Sequence, residues 1–225
     1  MRATRESNAR YLVVLLVIAG PFYLNDFASI YVKDWRWWLA IDYVAVKLFP
    51  LAVVAWLILT RRMEPGEFGL VRQPAAAFLA AFLLAALAGT LIDQNAYTLL
   101  ARMPGYAPLG AMPEIRSDAW NRIDLSFGLL LVGVLEELIF RAYAYTVIRR
   151  YTASPAAIVA ISAIAFGLIH WSLGSTTVLI TAAIGAVFMV VYLRTRSVPA
   201  LALAHFAVNF IDFADAIPKS LFKFL

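Results

Sequence analysis

Three short stretches of this chain set ionisable or amide side chains inside apolar runs. In GLLLVGVLEELIFRAY, residues 128–143, Glu136, Glu137 and Arg141 interrupt a segment otherwise suited to lipid. FGLIH brings His170 four residues after Phe166, and HFAVN brings His205 and Asn209 one turn apart on a single helical face. An ionisable group at bilayer depth costs about 2.5–3.5 kcal/mol on insertion scales, so each needs a partner or a task. Glu137 and Arg141 are four apart and can neutralise each other. Glu136 lies about 100° further round the helix, on the stripe of Val132, Gly133, Phe140 and Tyr143, with no cation one turn away. A carboxylate withheld from bulk water can serve as a general base. An imidazole beside it can help polarise a water, while a second imidazole and a carboxamide donate hydrogen bonds to the oxyanion of an attacked peptide carbonyl. The 225 residues contain no cysteine and only two histidines, so no thiolate nucleophile, disulfide or thiolate metal site is available. Peptide hydrolysis by an activated water is the chemistry these residue types support. Against it stands a plainer reading, in which each histidine is a hydrogen-bonded core residue and Glu137–Arg141 is an internal ion pair.

The elements that must position these groups are membrane helices. Hydrophobic residues make up 63% of the chain and charged residues 15%, well below the charge of soluble domains. A span needs ~20 mostly apolar residues. Seven runs qualify, roughly Tyr11–Val32, Trp37–Thr60, Ala75–Leu100, Leu125–Ile148, Pro155–Trp171, Thr176–Leu193 and Val198–Ala214. The expected fold is an all-α polytopic transmembrane bundle of seven to eight helices around an intramembrane polar cavity. It forms a single integral membrane domain over 1–225, with the motif-bearing helices within 125–215. Pro21 and Pro50 are expected to kink or split their helices, which would supply the eighth. Residues 101–123, with Pro104, Gly105, Pro108, Gly110 and Pro113, read as a long external loop. The tail Ile217–Leu225 is too short to span and suits the interface, with Lys219 and Lys223 reaching water. Counted from the basic residues at the helix ends, Glu136, His170 and Asn209 lie about 18 to 24 Å deep and His205 about 14 Å, so the four can share one cavity.

The net charge of +5 comes from basic pairs flanking apolar segments rather than from a patch, which argues against a nucleic-acid partner. Ten Lys and Arg fall on the side of the N-terminus and seven on the other, which predicts a cytoplasmic N-terminus. Trp35, Trp37, Trp38, Trp120 and Trp171 then lie near the outer boundary, as an aromatic belt would. The opening MRATRESNAR followed by YLVVLLVIAG has the layout of a signal peptide, yet no A-x-A-like site follows and apolar character resumes through FASIYV. Tyr143 and Tyr145 are expected to pack rather than line a groove, Asp212 and Asp215 to be solvated, and Asp93 has no assignment. Asp42 and Lys47 are five apart, a poor ion-pair spacing on an α-helix, so one is expected to face elsewhere.

EELIFR, FGLIH and HFAVN, in this order on separate helices, fit the patterns E-E-x-x-x-R, F-x-x-x-H and H-x-x-x-N. Together they resemble the CAAX protease and bacteriocin-processing (CPBP) family of glutamic-type intramembrane proteases, over about residues 125–212. The resemblance implies a bundle of about eight helices around a hydrophilic cavity, with Glu136 and His170 activating water, His205 and Asn209 forming the oxyanion hole, and Glu137 and Arg141 supporting the site. It implies no cofactor or metal. The partners it implies are the lipid bilayer and the C-terminal segment of a membrane-associated protein or peptide, within a sorting or bacteriocin system. Short loops suggest a bacterial cytoplasmic (inner) membrane, and a site opening outward would favour exported substrates. Three rivals stand beside it. Glu136, His170 and His205 form a two-histidine, one-carboxylate set for a zinc-dependent intramembrane protease, although no H-E-x-x-H occurs. Buried Glu, His and Asp also serve a proton-coupled transporter, although no two-half repeat is visible. A non-catalytic immunity protein would keep the fold without cleavage.

Overall fold

A computed structural model of the chain describes residues 2–100, 102–214 and 217–224, with side chains from residue 8 onward; Asp215 lies outside these. Seven helices are formed among the described residues. They are α1 (Arg2–Tyr31), α2 (Trp35–Leu59), α3 (Ala75–Leu100), α4 (118–148), α5 (Pro155–Leu168), α6 (Ser175–Thr195) and α7 (Val198–Phe213). The segments of α1 from Asn8, α2, α3 and α6 are each long and apolar enough to cross a membrane. Their outward faces carry exposed Leu12, Leu16, Leu79, Leu83 and Leu87, the surface a lipid solvent would cover. α5 and α7 have 14 and 16 residues, about 21 and 24 Å, and fall short of the ~30 Å hydrocarbon layer.

α4 is the central element. From Leu135 to Ala144 every residue is buried, as expected of a helix enclosed on all sides. α7 packs along both α3 and α4, and α6 along α3 and α5. Glycine sets two of these contacts. A side-chain carbon on Gly133 of α4 would fall 3.1 Å from the Ala202 carbonyl and 3.4 Å from His205 Cβ, and one on Gly167 of α5 would fall 2.6 Å from the Val178 carbonyl of α6. Small residues at these positions let backbones approach closely, as in membrane helix pairs generally.

Several expectations are corrected. Neither proline splits its helix: α1 runs through Pro21, and in α2 Pro50 follows a π-helical stretch, Asp42–Leu48, so the missing amide falls where the ladder has already shifted. α4 starts at Asp118 rather than Leu125, because Ser117 accepts the amide of Trp120 and caps an extra turn. The external loop shortens accordingly. α5 stops at Leu168, and a 3₁₀ turn at Trp171–Leu173 carries the chain into α6. Of the tryptophans, Trp37 and Trp120 are exposed, but Trp38 is buried with its indole donating to Ser29, and Trp171 donates to the Tyr23 carbonyl. Tyr143 is fully buried and stacks on Phe68 and Tyr11, so its role is packing.

Candidate active site

Glu136 and Glu137 lie at the end of an α-helical stretch that passes into π-helix over Leu138–Tyr143. Such wide turns leave carbonyls without their usual donors and often occur at functional sites. Here Ser162 of α5 donates to the Phe140 carbonyl at 2.6 Å. Arg141 follows one turn after Glu137, and its Nε is 3.2 Å from Glu137 Oε2, both side chains fully buried. The guanidinium lies 4.2 Å over the Phe166 ring, a cation–π contact from α5.

Across the α4–α7 contact, His205 bridges the two carboxylates. Its Nδ1 is 2.8 Å from Glu137 Oε1, and its Nε2 is 3.4 Å from Glu136 Oε2. Glu137 is thus the hub between Arg141 and His205, a link that no short-range pattern in the sequence reveals. Phe166 and Phe188 meet the imidazole edge-on at 5.9 and 6.0 Å and fix its plane. His170 sits just past the end of α5, and its Nδ1 is 3.3 Å from the Phe166 carbonyl. That carbonyl accepts, so Nδ1 carries the proton and Nε2 is left as an acceptor. Asn209 makes no hydrogen bond among the described residues.

Glu136, His170, His205 and Asn209 all line one cavity of about 1080 Å³. The expected meeting of the four in one space is therefore found, while Glu137 and Arg141 stand behind the wall. Six further carboxylates line the cavity, from Asp26, Asp42, Asp93, Glu114, Asp124 and Asp212, against the single lysine Lys47 among the described residues. Asp93 and Asp212, given no part or read as solvated from sequence, both belong to this wall. Gln94 donates to each of them, at 2.6 and 3.4 Å, and Lys219 donates to Asp212 at 3.1 Å. The tail bearing Lys219 is pinned to α3, since Asn95 donates to the Phe222 carbonyl and accepts the Phe224 amide.

Asp42 and Lys47, expected to diverge, form a buried ion pair that Asp124 joins at 3.7 Å. The reason is the π-helix over Asp42–Leu48, whose i→i+5 period brings residues five apart onto one face. A second wide turn, Asp124–Gly128, begins at the partnering aspartate, and Tyr43 donates to it at 3.0 Å. The loop 102–117 closes over this end: Leu109 N donates to the Ser172 carbonyl and Ser175 N to the Tyr106 carbonyl. No group of three or more His, Asp or Glu among the described residues is arranged to hold a metal ion.

A family model described as Type II CAAX prenyl endopeptidase Rce1-like matches residues 118–211. The matched segment begins at the first residue of α4 and contains all seven motif residues discussed above. Neither the curated proteins nor the solved structures yield a match. The match and the motifs fall on the same stretch: residues 118–211 are similar to the Type II CAAX prenyl endopeptidase Rce1-like family.

Proposed function

We propose that the chain hydrolyses a peptide bond near the C-terminus of a membrane-associated protein or peptide, using a water activated by Glu136 and His170. The observation that carries this reading is the common cavity onto which Glu136, His170, His205 and Asn209 converge. His170 Nε2, freed as an acceptor by the Nδ1 bond to Phe166, can accept a hydrogen bond from one O–H of a water while Glu136 takes the proton of the other. His205 Nε2 faces Glu136 Oε2 at 3.4 Å, and two lone pairs at that separation would repel, so a proton sits between them. When a peptide carbonyl enters, that Nε2–H turns to the developing oxyanion with the Asn209 amide, and Glu136 is released to act as base. Glu137 holds the other imidazole nitrogen and Arg141 balances Glu137, so the pair fixes the ring without touching substrate. The proton Glu136 gains passes to the departing amine, which completes the hydrolysis.

Loop 102–117 lines one end of the cavity, which the charge count assigns to the outer side, so exported substrates with a C-terminal membrane anchor fit better than cytosolic ones. The test is cleavage of a membrane-tethered reporter peptide by purified protein in liposomes. Glu136→Gln with wild-type helix content and full activity would end the proposal. Cleavage confined to substrate presented on the side of the N-terminus would reverse its sidedness. Activity lost to a chelator and restored by zinc would move the chemistry to a metal.

A further inference from the structure

At the end of the bundle remote from the cavity, a second pocket of about 670 Å³ lies between the ends of α4 and α6 and the turn after α2. Arg149, Arg150 and Arg196 line it, together with Tyr145, Tyr192 and Glu67. None of the three arginines enters an ion pair among the described residues. Instead, each lies over an aromatic ring. The Arg196 guanidinium lies 3.6 Å over Tyr145 and 5.8 Å over Tyr192, Arg149 lies 5.3 Å over Tyr145, and Arg150 lies 3.5 Å over Tyr11. Stacking uses the face of a guanidinium and leaves its in-plane N–H groups for an oxygen ligand. The carboxylate in the pocket is already engaged: Glu67 Oε1 accepts from Tyr11 and Oε2 accepts the Glu64 amide.

One feature of Arg196 indicates an absent acceptor. Its Nη1 is shut off from solvent and has no hydrogen-bond partner, a costly state for a charged donor. Its left-handed backbone, φ +57°, is the C-cap that ends α6, with its amide donating to the Tyr192 carbonyl. Three fixed cations, one orphaned N–H and no free carboxylate make a receptor for a small multivalent anion. A phosphoryl group matches the fork geometry of several guanidinium groups at once.

We propose that this pocket binds a phosphate-bearing anion. Its place at the ends of membrane helices, on the side that the charge count assigns to the cytoplasm, makes the headgroup of an anionic phospholipid the favoured source, with free phosphate the other. The site is distinct from the cavity and does not depend on the proteolytic reading.

The test uses full-length protein in mild detergent, with native mass spectrometry of lipid adducts at equal phosphatidylglycerol and phosphatidylcholine. The wild type is expected to retain phosphatidylglycerol roughly tenfold over phosphatidylcholine, and the double variant Arg149→Gln/Arg196→Gln to bring that ratio near one. Arg72→Gln/Arg194→Gln removes an equal charge from exposed positions outside the pocket and is expected to leave the ratio unchanged. A thermal-unfolding arm with inorganic phosphate separates the sources. Stabilisation by millimolar phosphate that Arg149→Gln/Arg196→Gln abolishes assigns the pocket to the phosphoryl group alone, and its absence beside a lipid preference assigns it to the lipid. Circular dichroism checks that the variants keep their helices. The proposal fails if Arg72→Gln/Arg194→Gln lowers the preference as much as Arg149→Gln/Arg196→Gln, or if neither lipid preference nor phosphate stabilisation is seen in the wild type.

Discussion

The two ends of this bundle handle charge in opposite ways. At the cavity end, carboxylates outnumber cations, and each charged group near the reacting centre is tied to another: Glu137 to Arg141 and His205, Asp42 to Lys47. At the pocket end, three arginines converge with aromatic faces as their only close partners besides a weak contact to Asn8. The difference shows two uses of charge. Paired groups hold a fixed geometry for chemistry, whereas stacked but unpaired cations keep their donors open for something that arrives from outside.

The comparison can be broken most decisively at Glu136. Glu136→Gln keeps the shape and removes the proposed base, so cleavage of a tethered peptide is expected to fall by ~10³-fold or more with unchanged helix content. Residual cleavage within tenfold of wild type would place the chemistry elsewhere. Next comes the pair behind the wall. Arg141→Met leaves Glu137 buried without its cation and is expected to cost ~3–5 kcal/mol in detergent unfolding, while Glu137→Gln/Arg141→Met recovers part of that loss. Equal loss in single and double variants would show that the pair is not coupled. Gly133→Ala adds a carbon 3.1 Å from the Ala202 carbonyl, and the overpacking is expected to cost ~1–3 kcal/mol and to lower kcat more than it raises KM. A variant with wild-type stability and kcat would mean that α4 and α7 tolerate a wider spacing. The smallest effect belongs to the other end. Arg149→Gln/Arg196→Gln is expected to change kcat in detergent by less than about twofold, because the pocket touches no reacting atom. A hundredfold loss would join the two ends functionally.

Much of the site was legible in the sequence because its residues come in one-turn pairs on apolar helices. Glu136, His170, His205 and Asn209 were expected in one cavity and they line one. The contacts between those pairs were not legible. That Glu137 receives His205 depends on the α4–α7 approach at Gly133, a relation of residues 68 apart. Asp42 and Lys47 were misread for a different reason: the spacing rule assumes 3.6 residues per turn, and the helix there is wound wider. Asp93, Asp124 and Asp212 carry no mutual spacing at all, so only the bundle reveals that they share a wall. The arginine pocket was hidden by its own explanation, since basic residues at helix ends read as orientation signals and nothing local distinguishes those that also converge.

The wide turn over Leu138–Tyr143 sits between the two ends on the same helix. Each residue along a helix advances it by about 100°, so trimming one residue from this turn would swing everything after it by roughly a quarter revolution. Glu136 would stay where it is, but Tyr145, Arg149 and Arg150 would leave the pocket. A single amino acid therefore sets the angular phase between the acidic and basic halves of α4, and the two can face their separate spaces only while it is kept.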